Sequence, residues 1–130
     1  MSEKILVVED SFETRDSLTI LLELSGYDVI VATDGSEGLA KALAESPNLI
    51  VTDIRMPSVS GIEMLREFRR NLRHHTVPVL VVTGYSKDYA NEAFAAGADY
   101  VISKPVNPDH LLRVVSNLLN ISERARQNNA

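Results

Sequence analysis

Short apolar runs recur along this 130-residue chain, and they lack the polar alternation of a strand that is exposed on one face. The clearest run lies at residues 49–51 and leads through Thr52 to Asp53. Strands without alternation are buried on both faces, as in parallel sheets that are covered by helices. The sequence therefore predicts five buried strands, at residues 5–8, 27–32, 49–51, 77–82 and 99–103.

A helical period follows each of these runs. The first helix is predicted to begin after Asp10 or Ser11, either of which can cap it, and to end at Gly26. Its predicted apolar face consists of Phe12, Leu18, Leu21, Leu22 and Leu24. On the third helix, basic residues are predicted to form an exposed face: Arg66, Arg69, Arg70 and Arg73.

Strands and helices that alternate at this spacing predict an α/β fold with a doubly wound, five-stranded parallel sheet and five helices. We assign residues 1–122 to one domain and residues 123–130 to a polar C-terminal tail, which frays or continues the last helix. The sequence shows no internal repeat, linker or second domain.

Composition excludes several classes of function. The net charge of −5 argues against direct nucleic-acid binding. The absence of cysteine excludes disulfides, thiolate metal sites and a cysteine nucleophile. No apolar run approaches the ~20 residues of a membrane helix, and no signal peptide is visible, so we expect a cytoplasmic protein without a membrane partner.

Chemically active side chains follow four of the five predicted strands. Glu9 and Asp10 follow the first, Asp53 the third, Thr83 the fourth and Lys104 the fifth. Each has an ordinary explanation alone, such as a helix cap, a strand end or a solvated charge. Because the carboxyl ends of parallel strands meet at one edge of a sheet, we expect all five side chains to lie close together.

This combination of groups indicates phosphoryl chemistry. Clustered carboxylates repel one another unless a cation lies among them, and oxygen ligands suit Mg²⁺. A carboxylate such as Asp53 can attack a phosphoryl group and form an aspartyl phosphate. The Lys104 ammonium and the metal would balance the charge of the phosphoryl oxygens, and Thr83 could bond a third oxygen.

Several short motifs together carry a family resemblance. They are Glu9-Asp10, Asp53-Ile54-Arg55-Met56-Pro57 with Gly61, Thr83-Gly84, Gly97-Ala98-Asp99 and Lys104-Pro105. With these motifs, the chain resembles the receiver domain of two-component response regulators over about residues 4–121. The resemblance implies a flavodoxin-like sheet with strand order 2-1-3-4-5, and a receiver domain over residues 1–122.

The resemblance also implies a metal site. Asp10 and Asp53 match direct Mg²⁺ ligands, with the backbone carbonyl of Arg55 as a third ligand from the protein. Glu9 would act mainly through a metal-bound water.

A phosphorylation-dependent switch is the function that the resemblance implies. Asp53 matches the phosphoacceptor, which receives its phosphoryl group from a histidine kinase or a phosphotransfer protein. Thr83 matches the switch hydroxyl, and Lys104 the ammonium that contacts the phosphoryl group. A downstream effector would bind the face formed by about residues 87–119, and the sequence does not decide whether this face also forms a homodimer. Such a domain catalyses only its own phosphorylation and dephosphorylation and is not otherwise an enzyme.

Two positions depart from the family pattern. The family usually has Tyr or Phe three residues before the lysine, where this chain has Val101. Tyr100 cannot substitute for it, because adjacent side chains in a strand point to opposite faces. We therefore expect the signal to pass through the loop after Thr83. If phosphorylation left all amide shifts between residues 87 and 103 unchanged, this expectation would be refuted. Arg55 places a long cation beside the predicted phosphoacceptor, from where it can affect the phosphate lifetime or pair with a nearby acid.

Two alternatives compete with this interpretation. A phosphatase of the haloacid dehalogenase type also uses an aspartyl nucleophile at a strand end, but it typically carries a second Asp two residues later, where this chain has Arg55. The other is a receiver-like interaction module that no longer needs phosphate. Val101 favours that alternative, and the complete set of site residues argues against it.

Overall fold

The structure is a computed structural model that describes residues 2–54, 60–71, 76–84 and 87–128. Strands and helices alternate through these residues. The strands are β1 (Lys4–Val8), β2 (Asp28–Ala32), β3 (Leu49–Thr52), β4 (Val79–Thr83) and β5 (Tyr100–Ser103). The helices are α1 (Phe12–Leu24), α2 (Gly35–Glu45), α3 (Gly61–Arg70), α4 (Lys87–Ala96) and α5 (Pro108–Asn128).

The five strands form one parallel sheet in the order β2-β1-β3-β4-β5. This order confirms the predicted fold. The direction of winding reverses between β1 and β3, and a crevice opens outside the carboxyl ends of the strands at such a point. Asp53, the first residue after β3, therefore lies where open α/β sheets bind their ligands.

The sheet separates two apolar cores. Leu6 and Val8 of β1 pack on the face that is covered by α2, α3 and α4. Ile5 and Val7 pack on the opposite face, which is covered by α1 and α5. The absence of polar alternation in the sequence is explained, because both faces of the central strands are buried under helices.

The apolar face predicted for α1 is correct in its centre and wrong at its ends. Leu18 and Leu22, one helical turn apart, are buried, but Phe12 and Leu24 are 68% and 83% exposed. Leu24 lies two residues beyond Leu22, which rotates it about 200° around the helix and away from the sheet. Ser11 rather than Asp10 is the N-cap, and its hydroxyl accepts a hydrogen bond from the Thr14 N–H.

Helix α5 continues past residue 122 to Asn128, so that the predicted polar tail is helical as far as the structure describes it. Ser122 is buried and donates a hydrogen bond to the Thr76 carbonyl at 3.2 Å. The division of the chain at residue 122 stays a prediction. Within the described ranges, no helix has both the length and the apolar character that crossing a bilayer requires.

The two leucines near the end of α1 give a direct test of this packing. Leu22→Ala should lower the free energy of unfolding by about 2–5 kcal/mol, because it leaves a cavity in a fully buried position. Leu24→Ala, in the same helix but solvent-exposed, should change it by less than about 0.5 kcal/mol. Urea unfolding followed by circular dichroism measures both, and equal losses would contradict the assigned face of α1.

Candidate functional site

The ends of the central strands are joined by backbone hydrogen bonds that continue one residue past the sheet. The N–H groups donate in register: Glu9 to the Ala32 carbonyl (3.0 Å), Asp53 to Val8 (3.1 Å) and Lys104 to Thr83 (2.8 Å). These bonds fix the backbone from which each functional side chain starts. The side chains of Glu9, Asp53 and Lys104 therefore begin at one edge of the sheet, as predicted.

An ammonium group lies between two carboxylates at this edge. Lys104 Nζ is 3.0 Å from Asp53 Oδ2 and 3.2 Å from Glu9 Oε2. The side chains of Glu9 and Asp53 are buried, whereas that of Lys104 is 26% exposed. The structure thus brings together three of the five residues that the sequence predicts at the site, through direct charge-assisted hydrogen bonds.

Burial and charge shift two pKa values in this cluster. The pKa of Glu9 is raised, first because the carboxyl is buried and then because of the Asp53 charge, and Lys104 and the Ser11 N–H only partly offset this. Burial acts to lower the pKa of Lys104, but the hydrogen bonds and charges of Asp53 and Glu9 outweigh it and raise that pKa. Lys104 is therefore held as the ammonium form, which the neighbouring carboxylates favour.

Further donors surround Glu9 and Asp53, and the sequence pattern did not predict them. The Ile54 N–H donates to Asp53 Oδ1 at 2.6 Å, and the Ser11 N–H donates to Glu9 Oε1 at 3.2 Å. Arg15 donates from Nη1 to the Glu9 carbonyl at 2.8 Å, from the first turns of α1. Backbone donors follow from geometry rather than residue type, and only the position of Arg15, four residues after the N-cap, could have indicated its role.

Three carboxylates at the site could hold a metal ion. Glu9, Asp10 and Asp53 each place one oxygen within 4.8 Å of the others, and Asp10 is exposed while the other two are buried. Hard divalent cations such as Mg²⁺ take oxygen ligands, so this donor set fits the ion that the family resemblance implies. The proposed ligand from the Arg55 backbone lies outside the described residues.

Thr83 ends β4 and is buried, in register with Ser103 of β5. Val101 packs half-buried against the core below α2, α3 and α4. Tyr100 lies on the other face, where its ring meets that of His110 edge-on, with a centroid distance of 6.2 Å. The two side chains therefore point to opposite faces, as predicted, and no aromatic ring of β5 lies on the face of Thr83.

The response regulator receiver domain model matches residues 5–116 of this chain. The chain belongs to the receiver domain family of response regulators. The receiver domain is 38% identical over 126 residues to the alkaline phosphatase synthesis transcriptional regulatory protein PhoP of Bacillus subtilis. The match covers 96% of this chain and 52% of PhoP. Protein PilH of Pseudomonas aeruginosa is 32% identical over 119 residues, with 89% and 97% of the two chains covered.

A solved structure has the same fold. The CheY-like response regulator receiver domain protein of Methanospirillum hungatei JF-1 superposes with a TM-score of 0.89 at 37% identity, and the match covers 96% of this chain and 99% of that one. The receiver domain spans about half the length of the first curated relatives that it matches.

The family assignment confirms the predicted role in phosphorylation-dependent two-component signalling. Receiver domains interact with histidine kinases and with effector domains, and they are not enzymes in the ordinary sense. The haloacid dehalogenase alternative is excluded, because the chain belongs to a different family. The roles of individual residues stay proposals.

Gly61 supports the site through a close backbone approach. Its N–H donates to the Ile54 carbonyl at 2.7 Å, and a Cβ at this position would lie 1.9 Å from the Asp53 carbonyl oxygen. Only a residue without a side chain lets α3 begin so near the residues that follow β3.

Gly61→Ala should therefore lower the free energy of unfolding by about 1–3 kcal/mol or more and displace the Asp53 backbone. Gly84→Ala is the control, because its Cβ would meet nothing within 4 Å and should cost less than about 0.5 kcal/mol. Urea unfolding compares them, and a Gly61→Ala protein as stable as the control would show that α3 can move away at no cost.

Proposed function

We propose that Asp53 accepts a phosphoryl group from a histidine kinase or a phosphotransfer protein, with Mg²⁺ bound by Glu9, Asp10 and Asp53. The observation that carries the proposal is the Lys104 ammonium 3.0 Å from Asp53 Oδ2, in the crevice where the winding of the sheet reverses. A fixed cation beside a nucleophilic carboxylate stabilises the charge that develops on a transferring phosphoryl group.

The side chains divide the work of the transfer. One oxygen of Asp53 forms the bond to phosphorus while the bond from phosphorus to the donor nitrogen breaks, which yields an aspartyl phosphate. The Ile54 N–H orients the carboxylate through its 2.6 Å hydrogen bond to Oδ1. Lys104 then contacts the phosphoryl oxygens, and the Thr83 hydroxyl moves toward them as the switch group.

Direct metal ligands in this proposal are Asp10, Asp53 and the Arg55 backbone carbonyl, while Glu9 acts mainly through a metal-bound water. When bound, Mg²⁺ would neutralise charge on the carboxylates and on the phosphoryl oxygens. The chain's own contribution is to hold the carboxylate oxygens within 4.8 Å of one another before any ion arrives.

The proposal defines the wider role of the domain. It catalyses its own phosphorylation and dephosphorylation and has no turnover substrate. A downstream effector binds the face formed by about residues 87–119, which can also serve a homodimer. With a histidine kinase or a phosphotransfer protein as its phosphodonor, the domain acts in the cytoplasm.

Intact-mass analysis after incubation with acetyl phosphate tests the chemistry. The wild-type protein should gain one phosphoryl group only with Mg²⁺ present, and Asp53→Asn should gain none, because it lacks the nucleophile. Asp28→Asn, at an exposed position on β2, is the matched control and should react as wild type does. Mg²⁺ should also raise the melting temperature of the wild-type protein more than that of Asp10→Asn, since an ion stabilises the folded state only to the extent that it binds to it.

An adduct on Asp53→Asn, or one that forms equally well without Mg²⁺, would contradict the proposed site. No adduct on the wild-type protein, together with no response to beryllofluoride, would favour the interaction module that does not need phosphate.

A groove beside the phosphoacceptor gives the donor a place to bind. It measures about 630 Å³, and its lining includes Ile20, Leu21 and Leu24 of α1, Pro105, and Lys104. Ile20 is 50% exposed, although it is a large apolar side chain. Because Lys104 lines the groove and also contacts Asp53, we propose that an apolar helix of the phosphodonor binds here and brings its histidine to the carboxylate.

Ile20→Asp should slow phosphotransfer at least about fivefold, because a charge replaces an apolar contact of the donor. Leu43→Asp, at a 42% exposed position on α2, is the matched control. The phosphodonors are autophosphorylated histidine kinase cores that are encoded in the same genome as this chain. The kinase that transfers its phosphoryl group to the wild-type protein fastest is used for the comparison. Acetyl phosphate should react with both variants at the wild-type rate, since it needs no docking surface. Equal slowing of both variants by the kinase would refute the groove as the donor site.

A further inference from the structure

Two backbone hydrogen bonds define the C-terminal end of helix α4. The Gly97 N–H donates to the Phe94 carbonyl and the Ala98 N–H to the Ala93 carbonyl, each at 3.0 Å. Gly97 has φ +115°, the left-handed conformation that such helix ends need. The end of α4 is therefore well defined before any side chain is considered.

Arg69 of α3 holds this end of α4. Its guanidinium donates to the Gly97 carbonyl from Nε (3.2 Å) and Nη2 (2.9 Å), and to the Val77 carbonyl from Nη1 (2.6 Å). The side chain is 17% exposed, so the prediction that it belongs to an exposed basic face is wrong. A Cβ at Gly97 would lie 2.9 Å from Arg69 Cγ, which shows how closely the two residues pack.

Asp99 extends the same network to the sheet. Its Oδ2 accepts from Arg69 Nη2 at 2.9 Å and from the Val79 N–H at 2.8 Å, and the Asp99 N–H donates to the Val79 carbonyl at 2.9 Å. Burial lowers the pKa of Arg69, and the Asp99 carboxylate opposes that shift. One guanidinium thus joins α3, the end of α4 and the beginning of β4.

Among the side chains of α4 that the structure describes, those that pack on the core are mostly small. Its residues that pack on the core are Ala93 and Ala96, with Tyr89 half-buried. An alanine methyl contributes little apolar area, so this packing is weaker than that of a helix with leucines. Helix α4 begins four residues after Thr83 in the sequence, so its N-terminal end follows the proposed switch group, whereas its C-terminal end is held by Arg69.

We propose that Arg69 is a positioning residue that fixes the C-terminal end of α4. The response to phosphorylation is thereby confined to the N-terminal half of the helix. The proposal rests on the proposed function, because it takes phosphorylation of Asp53 as the signal. Without the contacts of Arg69, the whole helix and the beginning of β5 would respond.

Amide hydrogen exchange, resolved by NMR with and without beryllofluoride and Mg²⁺, tests this proposal on the full chain. In the wild-type protein, beryllofluoride should change exchange at residues 89–92 and leave residues 93–99 unchanged. In Arg69→Met, exchange at residues 93–99 should be about tenfold faster without beryllofluoride, and the beryllofluoride response should extend into them. Arg70→Met, on the same helix but with an exposed side chain paired with Glu67, should match wild type.

Asp99→Asn keeps the shape of the side chain and removes its charge, and it should show the same spread of the response to a smaller degree. It therefore carries the test if Arg69→Met does not fold. A merely structural role would speed exchange at residues 93–99 and leave the response confined to residues 89–92, which would overturn the proposal. A wild-type response that already reaches residue 97 would also overturn it.

The proposed function fails separately from this inference. If acetyl phosphate and beryllofluoride leave the wild-type protein unmodified and its exchange unchanged, the phosphorylation proposal is at fault. If they act on Asp53 but the pattern along α4 is the same in all variants, only the role of Arg69 is refuted.

Discussion

The Lys104 ammonium between Asp53 and Glu9 is the interaction on which the other features of the site depend. Two carboxylates that are buried side by side repel each other, and a buried charge without a partner costs several kcal/mol. Lys104 offsets this cost at 3.0 and 3.2 Å, and so the ends of β1, β3 and β5 must meet at one edge. The parallel order of the sheet satisfies that condition by topology alone, since every strand delivers its last residues to the same side.

In the proposed function, the same ammonium also prepares the site to receive a phosphoryl group. Lys104 carries three N–H donors, and Glu9 and Asp53 accept two of them. A divalent cation would compete for the same carboxylates, and a phosphoryl group on Asp53 would offer Lys104 oxygens with more charge. The divalent cation would replace an ammonium with another positive charge, and the phosphoryl group would replace a carboxylate with another negative charge. The site can therefore change its hydrogen bonds without exposing an uncompensated charge in the crevice.

Much of the fold and of the site was predictable, because both depend on where apolar runs end. A run that is buried on both faces indicates a parallel strand, and the first polar residues after it then lie at a known edge, which placed Glu9, Asp53 and Lys104. The phase of a helix is harder to read, since apolar residues near its ends can face solvent, as Leu24 does. Arg69 was missed for a similar reason. A basic residue in a charged helix is usually solvated, and the burial of Arg69 is made favourable by partners outside that helix, namely the carbonyls of Val77 and Gly97 and the Asp99 carboxylate.

The two edges of the sheet thus have different physical roles. The carboxyl edge carries charges that can exchange partners, whereas the amino edge of β4 and β5 carries the Arg69 and Asp99 network, whose partners are mostly backbone groups. Strand β4, which runs between these two ends, is buried along its whole length and is close-packed. The element that follows Thr83 at the carboxyl end is α4. In the proposed function, a change at Thr83 therefore reaches the beginning of α4 before it reaches the Arg69 and Asp99 network.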